Sequence, residues 1–243
     1  SIQNCHFPQI IFYKEINIQI IMTEHNFYTK AAKYWAKVPA TIDGVLGGYG
    51  NISDTDIDGS RDFLISLFEL DEPPDTTSAL DCGAGIGRIS KNLLIPQFDK
   101  VDLVEQDEKF INSAKQSIGE DNAKLGVAYN IGLQNFKPEN KYDVIWCQWV
   151  LGHLKDCDLI AFLNRCREAL NENGVIVIKE NITAFDDIEY DDGDSSVTRP
   201  YILMQKIFEE ARLVVVKERR QYGFPKEIYS VHSFALQNIS LTQ

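Results

Sequence analysis

Basic residues are scarce in this 243-residue chain: 24 lysines and arginines stand against 36 aspartates and glutamates, a formal net charge of −12. That deficit argues against nucleic acid as a partner, because phosphates attract Lys and Arg. It suits a cationic ligand or simply a soluble acidic surface. Long apolar runs are missing as well. None approaches the roughly 18–20 residues that a membrane-spanning helix needs. The cysteines number five (Cys5, Cys82, Cys147, Cys157 and Cys166), and none lies in a CxxC pair. A metal site is not expected, and reduced, buried thiols of an intracellular protein are the economical reading. Internal repeats, low-complexity tracts and Pro-rich linkers are also absent. With 44% hydrophobic residues, the chain has enough apolar material for one large domain.

The first residues share no pattern with the rest. Lys14 and Glu15 interrupt their apolar character and no small-residue cleavage site follows, so a signal peptide is not expected. Met22 is read as a natural start, with residues 1–21 as an extension outside the fold and 22–243 as a single domain. Within it, residues 22–72 are expected to form a helical cap and 73–243 the α/β core.

From Ala79 onward strand and helix signals alternate. Strands are expected at Ser78–Asp81, Val101–Glu105, Lys124–Asn130, Tyr142–Gln148, Val175–Lys179, Leu213–Lys217 and Tyr229–Leu236. Helices are expected to open at Arg88–Leu94 and to run over Asp107–Ile118, over Asp156–Leu170 with Asp156 as cap, and over Pro200–Ala211. Asn171–Gly174 (NENG) is expected to break the chain before the fifth strand. The alternation predicts a mostly parallel sheet covered on both faces.

Leu80–Ser90 reads LDCGAGIGRIS, with glycines at 83, 85 and 87 directly after the first strand. Such a cluster marks close approach of backbone to a ligand. The dinucleotide fingerprint GxGxxG would need a glycine where Arg88 stands, and the Gly-Lys-Ser/Thr ending of a phosphate loop is missing. Asp81, just before the loop, suits an ammonium group or a loop-bracing hydrogen bond. Glu105 ends the second strand twenty residues past Gly85, where an acid accepts hydrogen bonds from both hydroxyls of a ribose. Gly132-Leu133-Gln134 follows the third strand, where an adenine edge would lie. Strand, glycine loop, helix and acid together resemble the S-adenosyl-L-methionine site of Rossmann-like methyltransferases, with Arg88 paired to the cofactor carboxylate.

Five further segments carry a narrower resemblance: YWAKVPATIDGVLGGYG at 34–50, WCQWVLGHL at 146–154, IVIKEN at 176–181, DDGDSSVTR at 191–199 and EIYSVHSFAL at 227–236. In this order, from about Phe27 to Leu236, the chain resembles the protein α-N-terminal methyltransferases. These act on chains beginning Xaa-Pro-Lys or Xaa-Pro-Arg after Met removal. The resemblance implies a Rossmann-like methyltransferase fold with S-adenosyl-L-methionine as cofactor and S-adenosyl-L-homocysteine as product. It also implies protein substrates such as ribosomal proteins, a monomer, and a cytoplasmic or nuclear location. Trp35, Gly83, Arg88, Glu105, Leu133 and Gln148 would contact the cofactor. Leu46, Gly47, Trp149, Asn181, Asp191, Asp194, Ser196 and Tyr229 would line the peptide channel, with His153 beside the amine. Many relatives carry Asp where this chain has Glu105; the longer acid still reaches a ribose diol.

The residue types agree with that chemistry. An α-amine has a pKa near 7.7–8.0, so it must lose a proton before it attacks. Asp194 and His153 are the candidates to take the proton, and the Asn181 amide oxygen to aim the amine. Trp149 and Tyr229 offer faces to a proline ring. Six carboxylates crowd residues 186–194 and would receive a basic third residue, although an acidic run is ordinarily a solvated loop. Two other readings remain open on the residues alone. One is a small-molecule amine methyltransferase of the same fold; the other is a non-catalytic cofactor-binding adaptor.

Overall fold

β4 (Tyr142–Gln148) and β5 (Leu170–Ile182) lie side by side in parallel. Their residues alternate between two cores, as the two-residue period of a strand requires. Ile145, Cys147, Ile176 and Ile178 join one apolar cluster. Val144, Trp146, Val175 and Val177 join the other. A strand buried on both faces reads as a continuous apolar run, which is why YDVIWCQ and VIVIK show no alternation in sequence.

The computed structural model describes residues 26–239, so residues 1–21, Met22 and Cys5 lie outside the described part. Parallel pairing extends from β4 to β1 (Ser78–Cys82), β2 (Lys100–Val104) and β3 (Leu125–Tyr129). On the other edge β9 (Ser230–Asn238) runs antiparallel to β5, and β8 (Leu213–Gln221) antiparallel to β9. The order is β3-β2-β1-β4-β5-β9-β8, a mostly parallel sheet. It reverses direction of growth between β1 and β4, the position at which open α/β sheets form a ligand crevice.

α6 (Asp156–Glu168) and α7 (Tyr201–Glu210) cover one face through Phe162, Leu163, Met204 and Phe208. α3 (Ser53–Leu67), α5 (Glu108–Ile118) and a π-helical turn (Ser90–Leu94) leading into α4 (Ile95–Gln97) cover the other. Ahead of α3 stand α1 (Phe27–Trp35) and α2 (Ile42–Val45). Lys109 fastens the chain just past α1: its ammonium donates to the carbonyl of the helix cap Ala36 (3.1 Å) and to that of Val38 beyond it (2.5 Å).

Three local expectations change. NENG does not break the chain, because β5 already starts at Leu170, paired with Tyr142. Asn173 takes the left-handed conformation at φ +58°, which asparagine tolerates, and the register shifts before Val175. The cap of α6 is Lys155 rather than Asp156. The Asp156 carboxylate instead accepts from Arg199 Nε at 2.8 Å, while its charge still suits the first helical turn. The acidic segment is no plain loop: β6 (Glu189–Asp191) and β7 (Ser196–Thr198) form an antiparallel hairpin. Buried Arg199 anchors its base through Asp156 and the carbonyls of Leu151 and Leu154.

Candidate active site

Two adjoining cavities open at the carboxyl ends of the parallel strands. The first is walled by the glycine loop after β1, Glu105 after β2, Gly132–Gln134 after β3 and Gln148 at the end of β4, and roofed by Tyr28, Ala31 and Trp35 of α1. All six residues expected to touch the cofactor (Trp35, Gly83, Arg88, Glu105, Leu133 and Gln148) line it. Gly83 has φ +74°, and a Cβ there would lie 2.4 Å from the Val150 side chain. Only glycine fits that bend.

Glu105 is 8% exposed. Its Oε2 accepts from the Gly85 N–H and its Oε1 from the Asp107 N–H, both at 2.9 Å. The carboxylate thus ties the loop to the cap of α5, and each oxygen keeps a lone pair for a diol. Burial raises its pKa, and the bonds from Asp107 and Gly85 oppose that rise. Asp81 is buried away from the cavity and accepts from Ser90 Oγ at 2.5 Å. Of the two readings open for it, loop bracing is the one with a partner. Burial pushes its carboxyl up to about 6. Arg88 bonds Asp56 Oδ2 at 2.6 Å, a partner that sequence reasoning did not supply. A ribose acceptor, a guanidinium, apolar Ile131 and Leu133 and two aromatic rings, Trp35 and Phe110, fit S-adenosyl-L-methionine.

The second cavity shares Trp35, Val45, Leu46, Trp149 and His153 with the first and continues past Glu180, Asn181, Asp194, Ser196 and Tyr229. Six of the eight expected channel residues line it: Leu46, Trp149, Asn181, Asp194, Ser196 and Tyr229. Gly47 and Asp191 do not. Gly47 is an exposed turn residue at φ +60°, and the Asp191 carboxylate accepts from the Gly193 N–H at 2.7 Å, closing the hairpin turn.

Asn181 Oδ1, Asp194 Oδ1 and Trp149 Nε1 are buried without a hydrogen-bond partner among the described residues. Buried polar atoms ordinarily have one, so three orphans around one cavity mark where a polar ligand is received. Trp149 holds φ +51°, an uncommon conformation for a bulky residue. Tyr229 OH donates to Glu189 Oε2 at 2.5 Å, linking the cavity wall to the acidic hairpin.

His153 sits where the cavities meet. Its Nε2 accepts from Trp35 Nε1–H at 3.0 Å, and its Nδ1 lies 3.4 Å from the Ser195 carbonyl. A carbonyl only accepts, so this pattern corresponds to the neutral Nδ1–H tautomer. Burial lowers the His153 pKa, opposed by nearby Asp194 and the Ser195 carbonyl. Glu180 is a further wall residue absent from the sequence-based set. Its Oε1 accepts from the Val150 and Leu151 N–H groups at 2.8 and 2.7 Å, holding the turn that carries Trp149 and His153. Burial raises its carboxyl to about 7.

A family model described as AdoMet-dependent proline di-methyltransferase matches residues 23–237. The chain is 48% identical over 224 residues to N-terminal Xaa-Pro-Lys N-methyltransferase 1-B of Xenopus laevis, covering 91% of this chain and 100% of that relative. It is 48% identical over 223 residues to N-terminal Xaa-Pro-Lys N-methyltransferase 1 of Homo sapiens, covering 90% and 99%. Among solved structures, a SAM-dependent methyltransferase of Leishmania major superposes with a TM-score of 0.81 at 39% identity, covering 87% of this chain and 83% of that one. The glycine loop, the acid after β2 and the adjoining cavity are therefore those of an S-adenosyl-L-methionine-dependent enzyme, and the chain belongs to the AdoMet-dependent proline di-methyltransferase family.

Proposed function

We infer that this enzyme methylates the α-amino group of proteins whose chains begin Xaa-Pro-Lys or Xaa-Pro-Arg after Met removal. The observation that carries this reading is the second cavity, which adjoins the cofactor cavity and is lined by Asn181 and Asp194, whose Oδ1 atoms are buried and unpartnered among the described residues. Curated relatives at 48% identity bear names that specify Xaa-Pro-Lys N-termini. A metabolite amine would need no channel continuing to an acidic hairpin.

The cofactor supplies an electrophilic methyl group on its sulfonium. This chain's residues then do the rest. Glu105 takes the ribose hydroxyls and Arg88 the cofactor carboxylate. Trp149 and Tyr229 present faces to the proline ring, which is rigid and loses little entropy on binding. Asn181 Oδ1 accepts from the amine and so aims its lone pair. The Asp194 carboxylate attracts the ammonium form and takes its proton. The exposed carboxylates Asp186, Asp187, Glu189 and Asp192 meet the basic third side chain.

Mass spectrometry of a Ser-Pro-Lys-Arg peptide after incubation with the enzyme and S-adenosyl-L-methionine tests this. Methylation at the terminal amine is expected, and loss of the signal on N-acetylation of the peptide. Transfer to small amines with none to the peptide would overturn the substrate assignment.

A further inference from the structure

Asp56 lies in α3, outside every motif singled out in the sequence, yet three elements of the site converge on its side chain. Arg88, following the glycine loop, bonds its Oδ2 at 2.6 Å. Gln148, at the end of β4, donates Nε2 to both carboxylate oxygens at 2.9 and 2.7 Å. Lys179, on β5, reaches Oδ1 at 2.5 Å and also donates to the Asp56 carbonyl and to Ser60 Oγ. Asp56 and Lys179 are fully buried, and the Arg88 side chain is 8% exposed.

Burying three charges costs several kcal/mol per ion unless the geometry is good. A merely structural contact between α3 and the sheet would be cheaper as hydrocarbon. This cluster is instead unbalanced: two cations share one carboxylate. Of these, Arg88 lines the cofactor cavity. Both cations also lie 5.9 Å from the Trp149 ring, which walls both cavities. Arg88 retains further N–H donors beyond the one given to Asp56, and the spare positive charge faces the place where an anionic group of the cofactor would enter.

We propose that Asp56 is a positioning residue for methyl transfer, fixing Arg88 for the cofactor carboxylate and, with Lys179, the underside of Trp149, so that one buried carboxylate aligns both ligand sites. This deepens the reading of Arg88 given above and rests on it. Asp56 touches neither cavity and takes part in no bond change; it acts by restricting the guanidinium to one orientation. The charge-assisted hydrogen bond it makes is the kind whose loss costs about 10–150-fold in affinity.

The test is a double-mutant cycle on S-adenosyl-L-homocysteine binding by calorimetry, using wild type, Asp56→Asn, Arg88→Gln and the double variant. Asp56→Asn alone is expected to weaken binding by about 10-fold or more. In the Arg88→Gln background it should cost less than about 3-fold, because residues acting as a unit are non-additive. Asp56→Glu, which keeps the charge, should restore part of the loss. A general loss of structure would give additive effects, and additivity overturns the proposal. So does a folded Asp56→Asn variant with wild-type affinity while Arg88→Gln loses its own. If Arg88→Gln binds as wild type does, the Arg88 reading itself fails, a distinct outcome. Should Asp56→Asn fail to fold, Asp56→Asn/Lys179→Met removes the buried pair together, which proteins often tolerate, and the same cycle is run from it.

Discussion

Trp35 in α1 donates its indole N–H to His153 Nε2, 118 residues away, at 3.0 Å and with the two rings edge to face. The bond closes the roof of the cofactor cavity against the turn that carries Trp149. It also settles which lone pair His153 has available. An indole can only donate, so the bond exists only while Nε2 is unprotonated.

Replacing Trp35 with Phe keeps an aromatic wall and removes the donor. A bond of this kind contributes roughly 0.5–1.5 kcal/mol to the neutral imidazole. Burial already holds the His153 pKa low, and without the indole it should move upward. Imidazole resonances followed by NMR across pH 4–8 give the midpoint. A Trp35→Phe midpoint equal to that of wild type would show that the indole does not hold the histidine neutral.

Asp81 provides a stability prediction with an uncommon sign. Its carboxyl is raised to about 6 by burial, from an ordinary value of 3.8. Between those values the folded state keeps a proton that the unfolded chain has released. The folded state therefore binds more protons, and stability falls as pH rises through this window. A shift of this size corresponds to roughly 3 kcal/mol at most. Asp81→Asn keeps an oxygen for Ser90 Oγ and removes the charge. Urea denaturation should show wild type losing more stability than Asp81→Asn between pH 4 and pH 7. Parallel losses in the two proteins would mean that Asp81 is not the group responsible.

Much of this site was legible because its residues stand at strand ends, where local pattern and topology coincide. Gly83, Glu105 and Gln148 each follow or close a strand that the apolar run marks clearly, and the structure brings them together as expected. Asp56 left no such mark. Its partners lie 32, 92 and 123 residues away, and nothing in the sequence separates it from Asp54, Asp58 and Asp62 of the same helix. Glu180 was hidden similarly, because its bonds go to backbone N–H groups, which have no sequence signature. NENG looked like a break because glycine and asparagine punctuate loops; here they accommodate a register shift within a continuing strand. The acidic run hid its hairpin because charge outweighs the short pairing segments Glu189–Asp191 and Ser196–Thr198.

That hairpin predicts how substrate selection responds to salt. Asp186, Asp187, Glu189, Asp191 and Asp192 are exposed, so their attraction for a basic third residue is screened over about 8–10 Å at 0.1–0.15 M salt. kcat/KM for an Xaa-Pro-Lys peptide should fall several-fold between 0.05 and 0.5 M NaCl, with kcat little changed. Asp186→Asn/Asp187→Asn should flatten that dependence. An Xaa-Pro-Gln peptide performing as well as Xaa-Pro-Lys at low salt would remove the hairpin from recognition.

The last prediction concerns which side chain takes the proton of the amine. Histidine matches the amine better by ordinary pKa, since 6.5 lies closer to 7.7–8.0 than a carboxylate does. Geometry reverses that preference. Both ring nitrogens of His153 are engaged, Nε2 by the Trp35 indole and Nδ1 by the Ser195 carbonyl. Asp194 Oδ1 is buried and has no hydrogen-bond partner among the described residues. We therefore propose Asp194 as the acceptor, with His153 supporting the loop that carries it through the Ser195 carbonyl. Asp194→Asn keeps shape and removes the charge, so kcat should drop by roughly 10²–10⁴, the usual yield of acid–base catalysis. Affinity for S-adenosyl-L-homocysteine should not change. His153→Asn should cost less in kcat, because an amide still donates to the carbonyl. Raising pH from 7 to 9 should partly rescue both variants, as more amine arrives neutral. Stopped-time mass spectrometry across that range supplies the pH–rate profiles. If Asp194→Asn matched wild type in height and shape while His153→Asn collapsed, the proton would go to the imidazole and the two roles would be exchanged.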